Sequence, residues 1–158
     1  VGETSDAVSA LQEIARAEAV FVSRGDDSGT HRKERSLWQA ADTDPGQASG
    51  TWYRETGAGM GATLNTASSM NAYALTDRGT WISFANKGEL EILVGGDERL
   101  FNQYGVIPVS PEHCPSVNGA GARLFVDWIT GDDGQQAISS YTLHNQQLFY
   151  PNAGQGGS

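Results

Sequence analysis

The chain has 158 residues, 38% of them hydrophobic and 18% charged, with a formal net charge of -9 and a pI near 4.6. That length holds one ordinary domain or one and a half small lobes, and the composition excludes a disordered chain. The acidity argues against nucleic acid or an anionic membrane surface as a partner.

Twenty glycines predict many tight turns. The single cysteine, Cys114, has no partner for an internal disulfide. No apolar run approaches the roughly 18 residues of a membrane span. Val1 in place of Met is expected to mark a processed or cut chain, which leaves its targeting open.

Residues 5–18 place Ala7, Leu11, Ile14 and Ala15 on one helical stripe, with Ser5 or Asp6 as N-cap. Residues 19–23 (AVFVS) read as a short buried strand. A second helix begins near Gly29, turns Leu37 and Trp38 inward, and ends before the turn-rich residues 42–50. Residues 51–55 (TWYRE) predict another strand, residues 56–61 (TGAGMG) a glycine loop, and a helix burying Met60, Leu64 and Ala67 follows. Thr76 is the expected cap of a short helix with Trp81, Ile82 and Phe84. Residues 90–94 (LEILV) and 104–109 (YGVIPV) are expected strands. Two closing helices carry Leu124, Phe125, Trp128 and Ile129, then Ala137, Ile138 and Tyr141, the last capped by Asp132 or Asp133. Trp38, Trp52, Trp81 and Trp128 fall on apolar faces and are expected in the core. This alternation predicts an α/β fold with a largely parallel sheet flanked by helices. A Gly-rich tail, residues 154–158, is expected to be flexible.

The stretch "RGDDSGT", residues 24–30, joins the first strand to the second helix. A helix N-terminus gathers unpaired N–H groups and partial positive charge, which together attract anions. Ser28 and Thr30 add hydroxyl donors, and Gly29 permits close backbone approach. Arg24 adds a forked, permanently charged donor set. Asp26 is placed to hold the Arg24 rotamer, and Asp27 to cap the helix. The same residues also serve ordinary capping, so local chemistry alone leaves both readings open.

Other motifs point less far. The loop after the second strand runs G-x-G-x-G, not the G-x-G-x-x-G of dinucleotide sites, so close packing is the first reading of it and support of the anion loop the second. Ser28 and His31 suggest a nucleophile and base, but without a G-x-S-x-G elbow. His113 and Cys114 lack spaced partners for zinc, so no metal and no cofactor is expected. Arg24-Gly25-Asp26 lies at a strand end beside a helix cap, a poor setting for an adhesion tripeptide.

The segments "FVSRGDDSGTHRKE", "WYRETGAGMGATLNTAS", "YALTDRGTWISF" and "LFNQYGVIPV" closely resemble the substrate-binding proteins of tungstate ABC transporters. The resemblance runs from Ser5 to Ala153, and Arg-x-Asp-x-Ser-Gly-Thr is similar to the oxyanion loop of phosphate-binding proteins. It implies a periplasmic-binding-protein-like lobe with its first lobe mostly missing. Residues 1–103 correspond to the second-lobe-like anion-binding region, and residues 104–153 to a segment returning towards the first lobe. It further implies anion contacts from Arg24, Ser28, Gly29 and Thr30, support from Asp26, Asp27, Gly59 and Met60, and no catalysis. The implied ligand is tungstate or molybdate, the implied partner a membrane permease, and the implied location periplasmic or extracellular. Self-association through the surface left by a missing lobe is a further expectation. The alternatives are a phosphate-cradling enzyme with His31 as base, and a truncated scaffold that no longer binds.

Overall fold

The structure is a computed structural model that describes residues 5–154. It divides into two compact units, one ending at Asn102 and the other beginning at Gln103.

In the first unit, helix α1 (Ala7–Arg16) is capped by Asp6, whose carboxylate accepts the Ser9 N–H at 2.6 Å. Its inward stripe buries Ala7, Val8, Leu11 and Ile14. Strand β1 (Phe21–Ser23) pairs in parallel with β2 (Tyr53–Glu55), Phe21 opposite Tyr53 and Ser23 opposite Glu55. On its other side β1 makes a parallel bridge to Tyr73, with Val22 N–H on Tyr73 O at 2.8 Å and Tyr73 N–H on Val20 O at 2.9 Å. A strand hydrogen-bonded on both flanks and covered on both faces is shut off from water, and all three of its residues are buried, Ser23 included.

Alternate side chains of β1 feed separate clusters. Phe21 joins Leu37 and Trp38 of α2 (Gly29–Ala40), together with Tyr53 and α1, its ring meeting Trp38 edge-on at 5.2 Å. Val22 packs on the other face against Ala67 of α3 (Met60–Met70) and Ala72. Phe84, just past α4 (Arg78–Ser83), completes a third cluster with Met60 and Leu64. The far end of the unit is tied to its beginning. Ala7 N–H donates to Asp97 Oδ2 at 2.8 Å, and Arg99 bridges Asp97, at 2.6 Å, and Asp6.

Several expectations need correction. Residues 90–94 and 104–109 are not strands. Leu90 and Val94 pack inward while Ile92 and Leu93 are exposed, and Val106, Ile107 and Val109 are all exposed. β-branched residues favour strands by packing against paired neighbours, and among the described residues neither run has a partner strand. The sheet is therefore small: β1, β2 and the bridge at Tyr73. Asp77, not Thr76, caps α4, accepting Thr80 N–H at 2.7 Å.

In the second unit, α5 (Gly119–Thr130) is capped by Asn118, and α6 (Asp132–Ser140) follows at once. The cap of α6 is Gly131, with Asp132 and Asp133 in the first turn, where their charge suits the helix dipole. The two helices pack so closely that a Cβ at Gly134 would lie 2.1 Å from Trp128 O. Tyr141 ends α6, and a hairpin of β3 (Thr142–Leu143) and β4 (Gln146–Gln147) follows. Its turn residues, His144 and Asn145, have φ of 51° and 61°, which is the tight turn that suits the twist of paired strands. Leu124, Phe125 and Trp128 are exposed, so Trp128 is not core; Trp38 is buried, and Trp52 and Trp81 are half-buried.

Candidate functional site

β1 and β2 run in parallel, so the loops that leave them, residues 24–28 and 56–59, emerge at the same sheet edge. Each leads straight into a helix, α2 and α3. Thr56 N–H donates to Ser23 O at 3.0 Å and Ala58 N–H to Arg24 O at 3.3 Å, which laces the loops together. The Thr56 hydroxyl lies 3.2 Å from both Ser23 O and Arg24 O, and 3.0 Å from the buried Thr63 hydroxyl.

In the first loop Gly25 adopts φ +61°, and a Cβ there would meet Glu55 Cβ at 2.9 Å. Arg24, 18% exposed, directs Nε and Nη2 onto Asp26 Oδ2 at 3.1 and 2.5 Å. The other oxygen of Asp26 accepts Ser28 N–H at 3.2 Å. Hydrogen bonding from Ser28, with the Arg24 guanidinium second, holds the Asp26 carboxyl at a pKa of about 2. Asp26 thus holds Arg24 with one oxygen and Ser28 N–H with the other. Asp27 does not cap the helix. Its side chain is 77% exposed, and Ser28 is the cap, with Oγ accepting His31 N–H at 3.4 Å.

The N–H groups of Gly29 and Thr30, and the Thr30 hydroxyl, have no partner among the described residues. A Cβ on Gly29 would touch nothing within 4 Å, so the protein's own packing does not demand glycine there. Arg24, Ser28, Gly29 and Thr30 therefore stand along one short turn. The arrangement can donate several hydrogen bonds to one small acceptor-rich group, and Arg24 brings a formal positive charge.

In the second loop Gly59 caps α3 without a side-chain bond, and Met60 is buried against Leu64 and Phe84. His31 is buried, and its Nδ1 accepts Asp27 N–H at 3.0 Å, which commits that nitrogen to the loop backbone and not to Ser28. Cys114 is exposed, and among the described residues no cluster of three or more His, Cys, Asp or Glu side chains is arranged for a metal.

Sequence reading missed Glu34. It is buried under the loop and accepts from Ser23, Tyr53 and Trp38. Its signal was a carboxylate three and four residues before the inward-facing Leu37 and Trp38, on the apolar stripe of α2.

The chain belongs to the PBP superfamily domain family, which matches residues 2–133. It is similar to the tungstate-binding protein TupA of Peptoclostridium acidaminophilum, 43% identical over 151 residues, which cover 94% of this chain and 52% of that protein. Among solved structures, the tungstate-binding protein TupA of Desulfovibrio alaskensis G20 matches with a TM-score of 0.77 at 45% identity, over 93% of this chain and 60% of that one. The tungstate ABC transporter structure from Geobacter sulfurreducens matches with a TM-score of 0.78 at 43% identity, over 89% of this chain and 58% of that one. The chain spans about half the length of the curated relatives it matches, 44% to 52%.

Proposed function

We propose that this chain is the anion-holding lobe of an oxyanion-binding protein that captures tungstate or molybdate and delivers it to an ABC transporter permease. One observation carries the reading: Arg24, held in place by Asp26, stands on the same turn as the unpartnered N–H groups of Gly29 and Thr30. Relatives named for tungstate binding, aligned over most of the chain, support it.

The net charge of -9 is no obstacle. Exposed charges beyond about 8 Å are largely screened at physiological salt, while a desolvated anion responds to the donors that touch it. Recognition is by donors alone: Arg24, the Ser28 and Thr30 hydroxyls, and the Gly29 and Thr30 amides. Asp26 already accepts two bonds from Arg24 and one from Ser28, so it is a poor acceptor for a protonated phosphate oxygen. That favours a fully deprotonated tetrahedral anion, and the size of the closed pocket would set selectivity over sulfate. Asp27, Gly59 and Met60 support the turn and the neighbouring loop.

The remaining donors come from the first lobe, which closes over this one and lies in the part of the relatives' length that this chain does not span. The exposed Leu124, Phe125, Trp128, Tyr104 and Ile107 of the second unit fit that reading, since apolar surface of this kind is covered in a complete protein or by self-association. Such a protein works outside the cytoplasm, as a periplasmic or extracellular carrier, and is not an enzyme. The commitment of His31 Nδ1 to Asp27 N–H counts against a hydrolytic reading.

Titration calorimetry of this chain with tungstate, molybdate, sulfate and phosphate tests the proposal. Arg24→Ala is expected to weaken tungstate or molybdate binding at least tenfold, because a charge-assisted hydrogen bond contributes about 1.5–3 kcal/mol. Unchanged heat in that variant refutes the assigned site, and no heat with any anion favours a scaffold.

A further inference from the structure

Under the loop lies a carboxyl that anion capture itself does not use. Glu34 is 2% exposed and Ser23 is fully buried. The Ser23 hydroxyl lies 2.8 Å from Glu34 Oε2, and the Tyr53 hydroxyl and Trp38 Nε1 lie 2.7 and 3.3 Å from Oε1. An indole nitrogen only donates. Ser23 Oγ also accepts Gly25 N–H at 3.2 Å and donates its own hydrogen to Glu34. The Tyr53 hydroxyl donates to the same carboxyl. Burial raises its pKa, and the hydrogen bonds from Tyr53 and Ser23, with the nearby His31, offset that only in part.

A buried carboxylate is costly for a core, where an apolar side chain of similar volume packs as well or better. This one joins the end of β1 through Ser23, β2 through Tyr53, and its own helix α2 through Trp38. β1 and α2 flank the first loop, and β2 leads into the loop laced to it. We infer that Glu34 is the positioning residue of the anion loop: it fixes the Ser23 hydroxyl, so that Ser23 Oγ faces Gly25 N–H and holds the left-handed turn that aims Arg24. The consequence for binding rests on the proposed anion site, whereas the effect on the turn is independent of it.

Glu34→Gln keeps the shape and changes the polarity. Its amide oxygen is needed opposite Tyr53 and Trp38, so its NH2 faces Ser23 Oγ, competes with Gly25 N–H and strips the hydroxyl hydrogen of its acceptor. Amide hydrogen exchange at Gly25, read by NMR on the full 158-residue chain, is expected to speed up at least tenfold in Glu34→Gln. Ser23→Ala, which keeps the carboxyl and removes only the relay, is expected to do the same. Molybdate affinity should fall at least fivefold in both. Tyr53→Phe removes a donor from the far oxygen of Glu34 and a neighbour of the Ser23 hydroxyl, and should lower the melting temperature while speeding Gly25 exchange and weakening molybdate binding less than Ser23→Ala does. Wild-type Gly25 exchange in Glu34→Gln overturns the inference, and so does an equal acceleration in Tyr53→Phe, which would signal general loosening of the core. If the unaltered chain takes up no molybdate, the anion reading falls, and Gly25 exchange still decides the role of Glu34.

Discussion

The loops that leave β1 and β2 share one backbone plan and differ in chemistry. Each ends a strand of the same parallel pair and opens a helix at the same sheet edge. The first carries Arg24, Asp26 and a serine cap, and its polar groups are arranged on one another with donors to spare. The second carries no formal charge after Glu55. Its threonine hydroxyls are satisfied by Ser23 O, Arg24 O and each other, and the helix it opens has no side-chain cap. The parallel pair thus yields two helix openings at the same end of the sheet, of which the first carries an arginine and a side-chain cap and the second neither.

Substitutions should separate these roles. The largest effect is expected from Gly25→Ala, which places a Cβ against Glu55 and forces a left-handed residue, costing ~2–3 kcal/mol in urea unfolding. It should also remove anion binding, because the turn that carries Arg24 moves. Thr63→Val in the bracing pair is expected to cost ~1–2 kcal/mol, by leaving Thr56 Oγ1 with one partner fewer in a half-buried setting. It should leave the anion affinity within about twofold, and a large loss of affinity would show that the second loop is itself part of the contact surface. Ser28→Ala should cost about 1 kcal/mol as a lost N-cap and weaken binding modestly.

The smallest effect concerns pH. The Asp26 carboxyl titrates at about 2 in the folded chain against an ordinary 3.8. A depressed carboxylate stabilises fully above the unfolded value and loses that contribution as pH falls through the folded one. Wild type and Asp26→Asn should therefore differ at neutral pH and converge between pH 4 and pH 2, a trend readable by urea unfolding across that window.

Where periodicity decides, the chain was readable. The stripes of α1, α2 and α3 and the buried run of β1 follow from spacing alone, and the Arg24 to Thr30 turn follows from its donors. Where an outcome depends on a distant partner, it was not. Residues 90–94 and 104–109 have the composition of strands, but strands form only beside a neighbour, and none is present among the described residues. Trp128 sits on an apolar helical face, yet that face is exposed within its own unit. Glu34 shares the buried stripe of α2 with Leu37 and Trp38, which its spacing shows, but that Ser23, Tyr53 and Trp38 converge on it from three elements is written nowhere near it in the chain. The Ser28 cap was a near miss for the same reason. Asp27 and Ser28 are both good caps, and the left-handed turn at Asp27 decides between them.

The clasp of Asp6, Asp97 and Arg99 has a consequence for the history of such a body. It sutures the place where the polypeptide enters the first unit to the place where it leaves. A unit with one shared doorway can be set into another fold as a cassette, or lifted out of it, without rethreading its interior.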